Sequence, residues 1–175
     1  MKILGLSQRP IELIAAICIN GNAKLRQTCY CLYQALALNQ TSHLSDYETG
    51  YKLRNASCKG YEKVVVTILR ERSNLVNCHD NNKYGWTSLL WASANGHKST
   101  VKLLLDHGAD VNLKNNNGGT ALIRASRRGH ESAVKLLLEY GADVNLRNKY
   151  DDTPLIYASR HETIAKLLKA NGATS

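Results

Sequence analysis

The sequence predicts an all-α fold: a solenoid of stacked helix-turn-helix units with an N-terminal helical cap. The first ground is internal repetition, since laying residues 83–115 over 116–148 gives 20 identities in 33 positions. Self-similarity at such a period marks a stacked array. The second is that the copies carry two short apolar-patterned segments, divided by a glycine in all but the last. The third is that neither segment is long enough to be stable alone, while each pair is apolar on more than one side, so stacking is obligatory.

The elements follow in chain order. Pro10 through Asn20 reads as one amphipathic helix. Ala23 through Leu38 reads as a second, with Leu25, Cys29, Leu32 and Leu36 along one face. Residues 1–45 thus form a helical segment, expected to cap the unit that follows. Over 46–80 a weaker copy places Ala56-Ser57 against Ala92-Ser93 and Gly60-Tyr61 against Gly96-His97, 36 residues upstream. The units at 81–115 and 116–148 are the clear copies. In each, a threonine, Thr87 or Thr120, offers its hydroxyl as the N-cap of a first helix that Gly96 or Gly129 ends. A second helix begins after His97, carries Val101, Leu104 and Leu105 at helical spacing, and stops at Gly108, which suits the left-handed conformation of a C-terminal cap. A polar stretch rich in Asn and Gly then leads, as a turn or finger, into the next threonine. The last unit, 149–175, keeps Thr153 and puts Pro154 at the first helical position, where its missing N–H costs nothing.

The segments GWTSLLWASANGHKSTVKLLLDHGADVN, GGTALIRASRRGHESAVKLLLEYGADVN and DDTPLIYASRHETIAKLLKANGA resemble ankyrin repeats, over residues 82–173. That resemblance implies an ankyrin-repeat solenoid of four units working by recognition rather than chemistry, with fingers and first helices forming a concave binding surface. Carried over position by position, the surface comprises Lys83, Tyr84, Trp86, Trp91, Ala94 and Asn95 in the second unit. The third adds Asn116, Asn117, Arg124, Arg127 and Arg128, and the fourth Lys149, Tyr150, Asp152, Tyr157 and Arg160. Trp, Tyr and Arg dominate interface hot spots because they combine large desolvated area with a directed polar group. Trp86, Arg127 and Arg128 are the expected centre of a site for an acidic protein segment. The blander alternative is that Trp91, Arg124 and Tyr157 merely pack sideways on the neighbouring helix.

Departures from the family pattern matter too. Leu90, Ile123 and Ile156 stand where the family usually has a histidine, so apolar packing must replace its hydrogen bonds. The last unit lacks two residues between Arg160 and His161, and Lys169 replaces Leu105 and Leu138, as a terminal repeat with an uncovered face requires. Upstream, RPIELIAAIC followed by LRQTCYCLYQAL is similar to the opening of an F-box. That similarity implies docking of residues 1–40 onto the adaptor subunit of a cullin-type ubiquitin ligase, with the repeats choosing the substrate.

Composition narrows the remaining classes. The 175 residues are 43% hydrophobic and 21% charged, enough to bury a core and too few for two catalytic domains. There is no Phe, against 9 Tyr and 2 Trp, so nearly all aromatic rings carry a polar handle suited to surfaces. The net charge of +9 divides almost evenly on either side of residue 80 and favours acidic partners. Nucleic acid is a weaker expectation: Arg124, Arg127 and Arg128 could attract phosphate with Trp86 and Tyr150 to stack bases, but the lysines are dispersed over several faces. Five cysteines, none in a CxxC pair or zinc spacing, point to a reducing cytosol. Gln8, Arg9, Pro10 and Glu12 interrupt the opening apolar stretch, so neither a signal peptide nor a membrane span is expected. No P-loop, paired carboxylates or Ser/His/Asp set is visible, and His97 and His130 recur as loop-fixing residues, so no enzyme, cofactor or metal site is expected. The expected form is a cytoplasmic monomer. Asn-rich arrays of this kind resemble proteins of intracellular parasites or large viruses that engage host factors, which would place it in the host cytoplasm.

Overall fold

The computed structural model describes residues 45–174, and the helices read over Pro10–Asn20 and Ala23–Leu38, with their F-box-like motif, lie outside the described residues. All regular structure among the described residues is helical. The helices pair as α1 (Asp46–Lys59) with α2 (Glu62–Glu71), α3 (Ser88–Ala94) with α4 (Lys98–Asp106), α5 (Ala121–Arg128) with α6 (Glu131–Glu139), and α7 (Pro154–Tyr157) with α8 (Glu162–Ala170). First helices pack in the series α1, α3, α5, α7, and second helices in the series α2, α4, α6, α8, so two helical layers enclose one core.

Local chemistry sets the starts. Thr87, Thr120 and Thr153 are extended N-cap residues whose hydroxyls accept the N–H of Leu90, Ile123 and Ile156 respectively. The core runs from Leu53, Ile68 and Leu69 through Leu89, Leu104, Leu122 and Leu137 to Ile164 and Leu168, all almost fully buried. At about 1.5–3 kcal/mol per large apolar side chain removed from water, this shared interior holds helices too short to persist alone.

Polar ladders tie the units together. Nε2 of His97 donates to the Cys58 carbonyl and that of His130 to the Ala94 carbonyl, both at 3.0 Å. Asn77 donates to the Gly108 carbonyl while its own oxygen accepts the Asp110 N–H at 2.9 Å. Asn112 repeats the pattern with the Gly141 carbonyl and the Asp143 N–H, and Asn145 with the Gly172 carbonyl and the Thr174 N–H. The fingers join through backbone bonds, Asn116 N–H to the Tyr84 carbonyl and Lys149 N–H to the Asn117 carbonyl, each 3.0 Å.

Three features depart from simple repetition. α1 begins well before the position corresponding to the start of α3, occupying chain that forms a finger in later units; Ser45 and Glu48 cap it reciprocally. The two-residue deletion before His161 removes the glycine that lets α5 turn, and the last first helix shrinks to one turn that tightens into a 3₁₀ segment, Ala158–Arg160. Apolar packing does replace the missing histidine at Leu90 (0% exposed) and Ile123 (2%), but Ile156 is 46% exposed, because α7 is the last first helix among the described residues and its far side is uncovered.

Candidate functional site

Each finger is closed by an Asp or Asn at its base, and this is what places the aromatic residues. Asp80 accepts the Trp86 N–H at 2.9 Å and donates its own N–H to the Trp86 carbonyl. Asn115 plays the same part toward Gly119, and Asn148 toward Asp152. Trp86 is thereby fixed at the foot of its finger, beside the next unit's first helix. Trp91, one turn into α3, meets it with ring centroids 4.4 Å apart and planes inclined at 42°.

Across the gap to the third unit, the Arg124 guanidinium lies 4.6 Å from the centre of the Trp86 ring. Arg127, about one turn further along α5, lies 5.5 Å from the Tyr157 ring. The Tyr157 hydroxyl donates to Asp152 at 2.8 Å and accepts from Asn148. Trp91, Trp86, Arg124, Arg127 and Tyr157 thus form one ring–ring and two ring–cation contacts over three successive units. Cation–π contacts of this kind are worth about 0.5–1 kcal/mol where exposed and about 2 when desolvated.

The charges in this row are poorly balanced. Arg124 is half-buried and its Nε has no hydrogen-bond partner. Among the described residues no carboxylate lies within 4 Å of Arg124, Arg127 or Arg128. Burial, then the positive charge of Arg127, hold the Arg124 guanidinium below its ordinary pKa; it stays charged at neutral pH. Burial and the bond to Asp152 push the Tyr157 phenol up. A half-buried cation without a counter-ion is costly to maintain, and an incoming carboxylate would relieve it.

The geometry redraws the expected centre: Arg124, rather than Arg127 or Arg128, covers Trp86, while Arg128 is exposed and joins neither ring. The remaining candidates stand apart from the row. Lys83 lies over its neighbour Tyr84, 4.9 Å from the ring centre, at an exposed finger tip. Asn116 and Asn117 are engaged in joining fingers. Asn95 ends α3 by donating to the Trp91 carbonyl, and Ala94 is buried. Lys149, Tyr150 and Arg160 are exposed at the last unit. Residues 38 and 30 apart in sequence, Trp86 with Arg124 and Arg127 with Tyr157, build the stack because unit stacking, not chain proximity, brings finger and following helix together.

A family model described as "Ankyrin repeats (3 copies)" matches residues 13–115, 53–148 and 111–174. The chain belongs to the ankyrin-repeat family. Ankyrin repeats are generally protein-interaction modules rather than enzymes. Among curated proteins, the chain is similar to two from Acanthamoeba polyphaga mimivirus. It is 33% identical to putative ankyrin repeat protein L86 over 35% of this chain and 14% of that protein, and 46% identical to putative ankyrin repeat protein L289 over 36% and 15%. The matched stretches span about one seventh of those relatives. No helix among the described residues is long and apolar enough to cross a membrane.

Proposed function

We propose that this ankyrin-repeat protein is a recognition scaffold whose finger-and-first-helix face, centred on Trp86, Arg124 and Arg127, binds an acidic segment of a partner protein. The observation that carries this reading is the pair of guanidinium groups stacked on aromatic rings, Arg124 half-buried and Arg127 exposed, with no carboxylate within ion-pair distance among the described residues. Such a surface is organised in advance for negative charge, since the rings hold the guanidinium groups in place before a ligand arrives. Trp and Arg side chains at the foot of a finger also supply the kind of large contact area that carries most interface energy.

Selecting from a random-peptide display library with the full chain as bait tests the reading. The expected result is enrichment of Asp- and Glu-rich peptides that an Arg124→Met/Arg127→Gln variant, folded by circular dichroism, no longer recovers. Neutral or basic peptides, or acidic ones retained by the variant, would overturn it. A random oligonucleotide is the control for polyanion attraction, and its binding should collapse between low and physiological salt.

The substrate-adaptor role rests on residues 1–40 alone. Recovery of a ligase adaptor subunit by the full chain, lost on deleting those residues while the repeats stay folded, would support it. The family match that begins at residue 13 supports an ankyrin-repeat reading of the same segment.

A further inference from the structure

The early start of α1 builds something the later units lack. Its added turns carry Tyr47 and Tyr51, about 60% exposed, on the side facing the 80–82 loop. Together with Arg54 and Cys58 of α1 and Trp91 of α3 they line a mostly apolar groove of about 370 Å³. The groove therefore begins where the row of rings and cations begins, because Trp91 belongs to both. Arg54 lies in its lining, largely buried, with no carboxylate of the described residues within 4 Å.

We propose that the partner segment is an extended chain with an aromatic anchor in this groove and two carboxylates, about three and about five or six residues away, on Arg124 and Arg127. This rests on the reading of the face as an acidic-segment site and names the pattern it selects. An aromatic anchor suits a cleft walled by Tyr51 and Trp91 with a guanidinium among its lining groups, since rings favour both edge contacts with other rings and the face of a cation.

The spacing follows from the stacking. Packed helices lie about 8–10 Å apart. The groove sits between α1 and α3, Arg124 bridges α3 and α5 to reach Trp86, and Arg127 bridges α5 and α7 to reach Tyr157. Successive sites are thus about one helix spacing apart, and the second carboxylate lies about 16–20 Å from the anchor. An extended chain advances about 3.3 Å per residue, which gives three residues to Arg124 and five or six to Arg127. A helical ligand would need about eleven to thirteen residues for the same reach at 1.5 Å each.

Fluorescein-labelled Gly/Ser peptides carrying one Trp and two Glu, titrated into the full chain by anisotropy, test the pattern. With Glu at +3 and +6 from the Trp, the peptide should bind at least tenfold more tightly than isomers with Glu at +1 and +2 or at +9 and +12. It should also bind at least tenfold more tightly than the same peptide with Ser for Trp. Tyr51→Ala, at an exposed position, should weaken the Trp peptide and leave the Trp-less one unchanged. If acidic peptides bind regardless of spacing and anchor yet still require Arg124 and Arg127, the pattern is wrong and the acidic-segment site stands. If no acidic peptide depends on those arginines, or none binds at millimolar concentration, both fall.

Discussion

Replacing Gly96 by alanine tests how the units are locked together. Gly96 has φ +73°, and a Cβ there would sit 2.5 Å from Nδ1 and 2.8 Å from Cγ of His130. Two costs follow. The left-handed backbone costs a non-glycine residue about 1–2 kcal/mol. The ring must also move, and with it goes the Nε2–H bond to the Ala94 carbonyl, worth about 0.5–1.5 kcal/mol. The expected loss is about 1.5–3.5 kcal/mol. Gly108 supplies the control, because its φ is +84° but nothing lies within 4 Å of a Cβ built on it. Gly108→Ala should therefore cost only the backbone part, about 1–2 kcal/mol. The clash can be isolated in a double-mutant cycle with His130→Ala: once the ring is gone, Gly96→Ala should cost no more than Gly108→Ala, a coupling of about 0.5–1.5 kcal/mol. Urea unfolding followed by circular dichroism measures each value from the midpoint at constant slope. Equal losses at Gly96 and Gly108, or costs of Gly96→Ala and His130→Ala that simply add, would refute the reasoning.

Asn112→Ala removes both bonds that join the second unit to the third through this side chain, and at a partly exposed site should cost about 1 kcal/mol in urea unfolding; an unchanged midpoint would mean the ladder is ornamental to stability. Thr120→Ala removes a buried N-cap and should cost about 1–2 kcal/mol, with Thr120→Ser restoring most of it. Tyr140→Phe should shift a titration. Hydrogen bonds from Tyr140 first and Lys102 second hold the Asp106 carboxyl below its ordinary pKa. The associated stabilisation is present above the carboxyl's unfolded pKa and is lost as pH falls through the depressed folded value. Without the phenol that folded value should move up toward the ordinary one, which NMR of the Asp106 carboxyl carbon would detect; an unmoved value would contradict the bond.

Much of the architecture is legible in the sequence because the 33-residue echo fixes the threonine caps and glycine turns from which helix starts and ends follow. Thr87, Thr120 and Thr153 mark α3, α5 and α7 to the residue. The finger closures at Asp80, Asn115 and Asn148 and the ladder of Asn77, Asn112 and Asn145 also recur at or near that spacing. Their partners lie in the next unit or across a turn, which periodicity alone does not reveal. α1 escapes the pattern because its first turns replace a finger, although Ser45-x-x-Glu48 is a capping signal that local reading could have found. At the proposed face the sequence supplies the rings and cations but not which of them meet. Trp86 and Arg124 are 38 positions apart, and only the lateral register of finger against following helix decides that Arg124, not Arg127, covers the indole.

Tryptophan emission tests the central claim most directly, because the chain has 2 Trp and both belong to the row of rings. Titrating the full chain with acetyl-hexaglutamate, which carries no aromatic residue, should quench or shift that emission along a saturable curve. The curve should coincide with binding measured by anisotropy on a labelled copy, weaken with salt, and vanish in Arg124→Met/Arg127→Gln. Saturable binding with unmoved tryptophan emission would place the acidic ligand elsewhere on the protein and contradict the account.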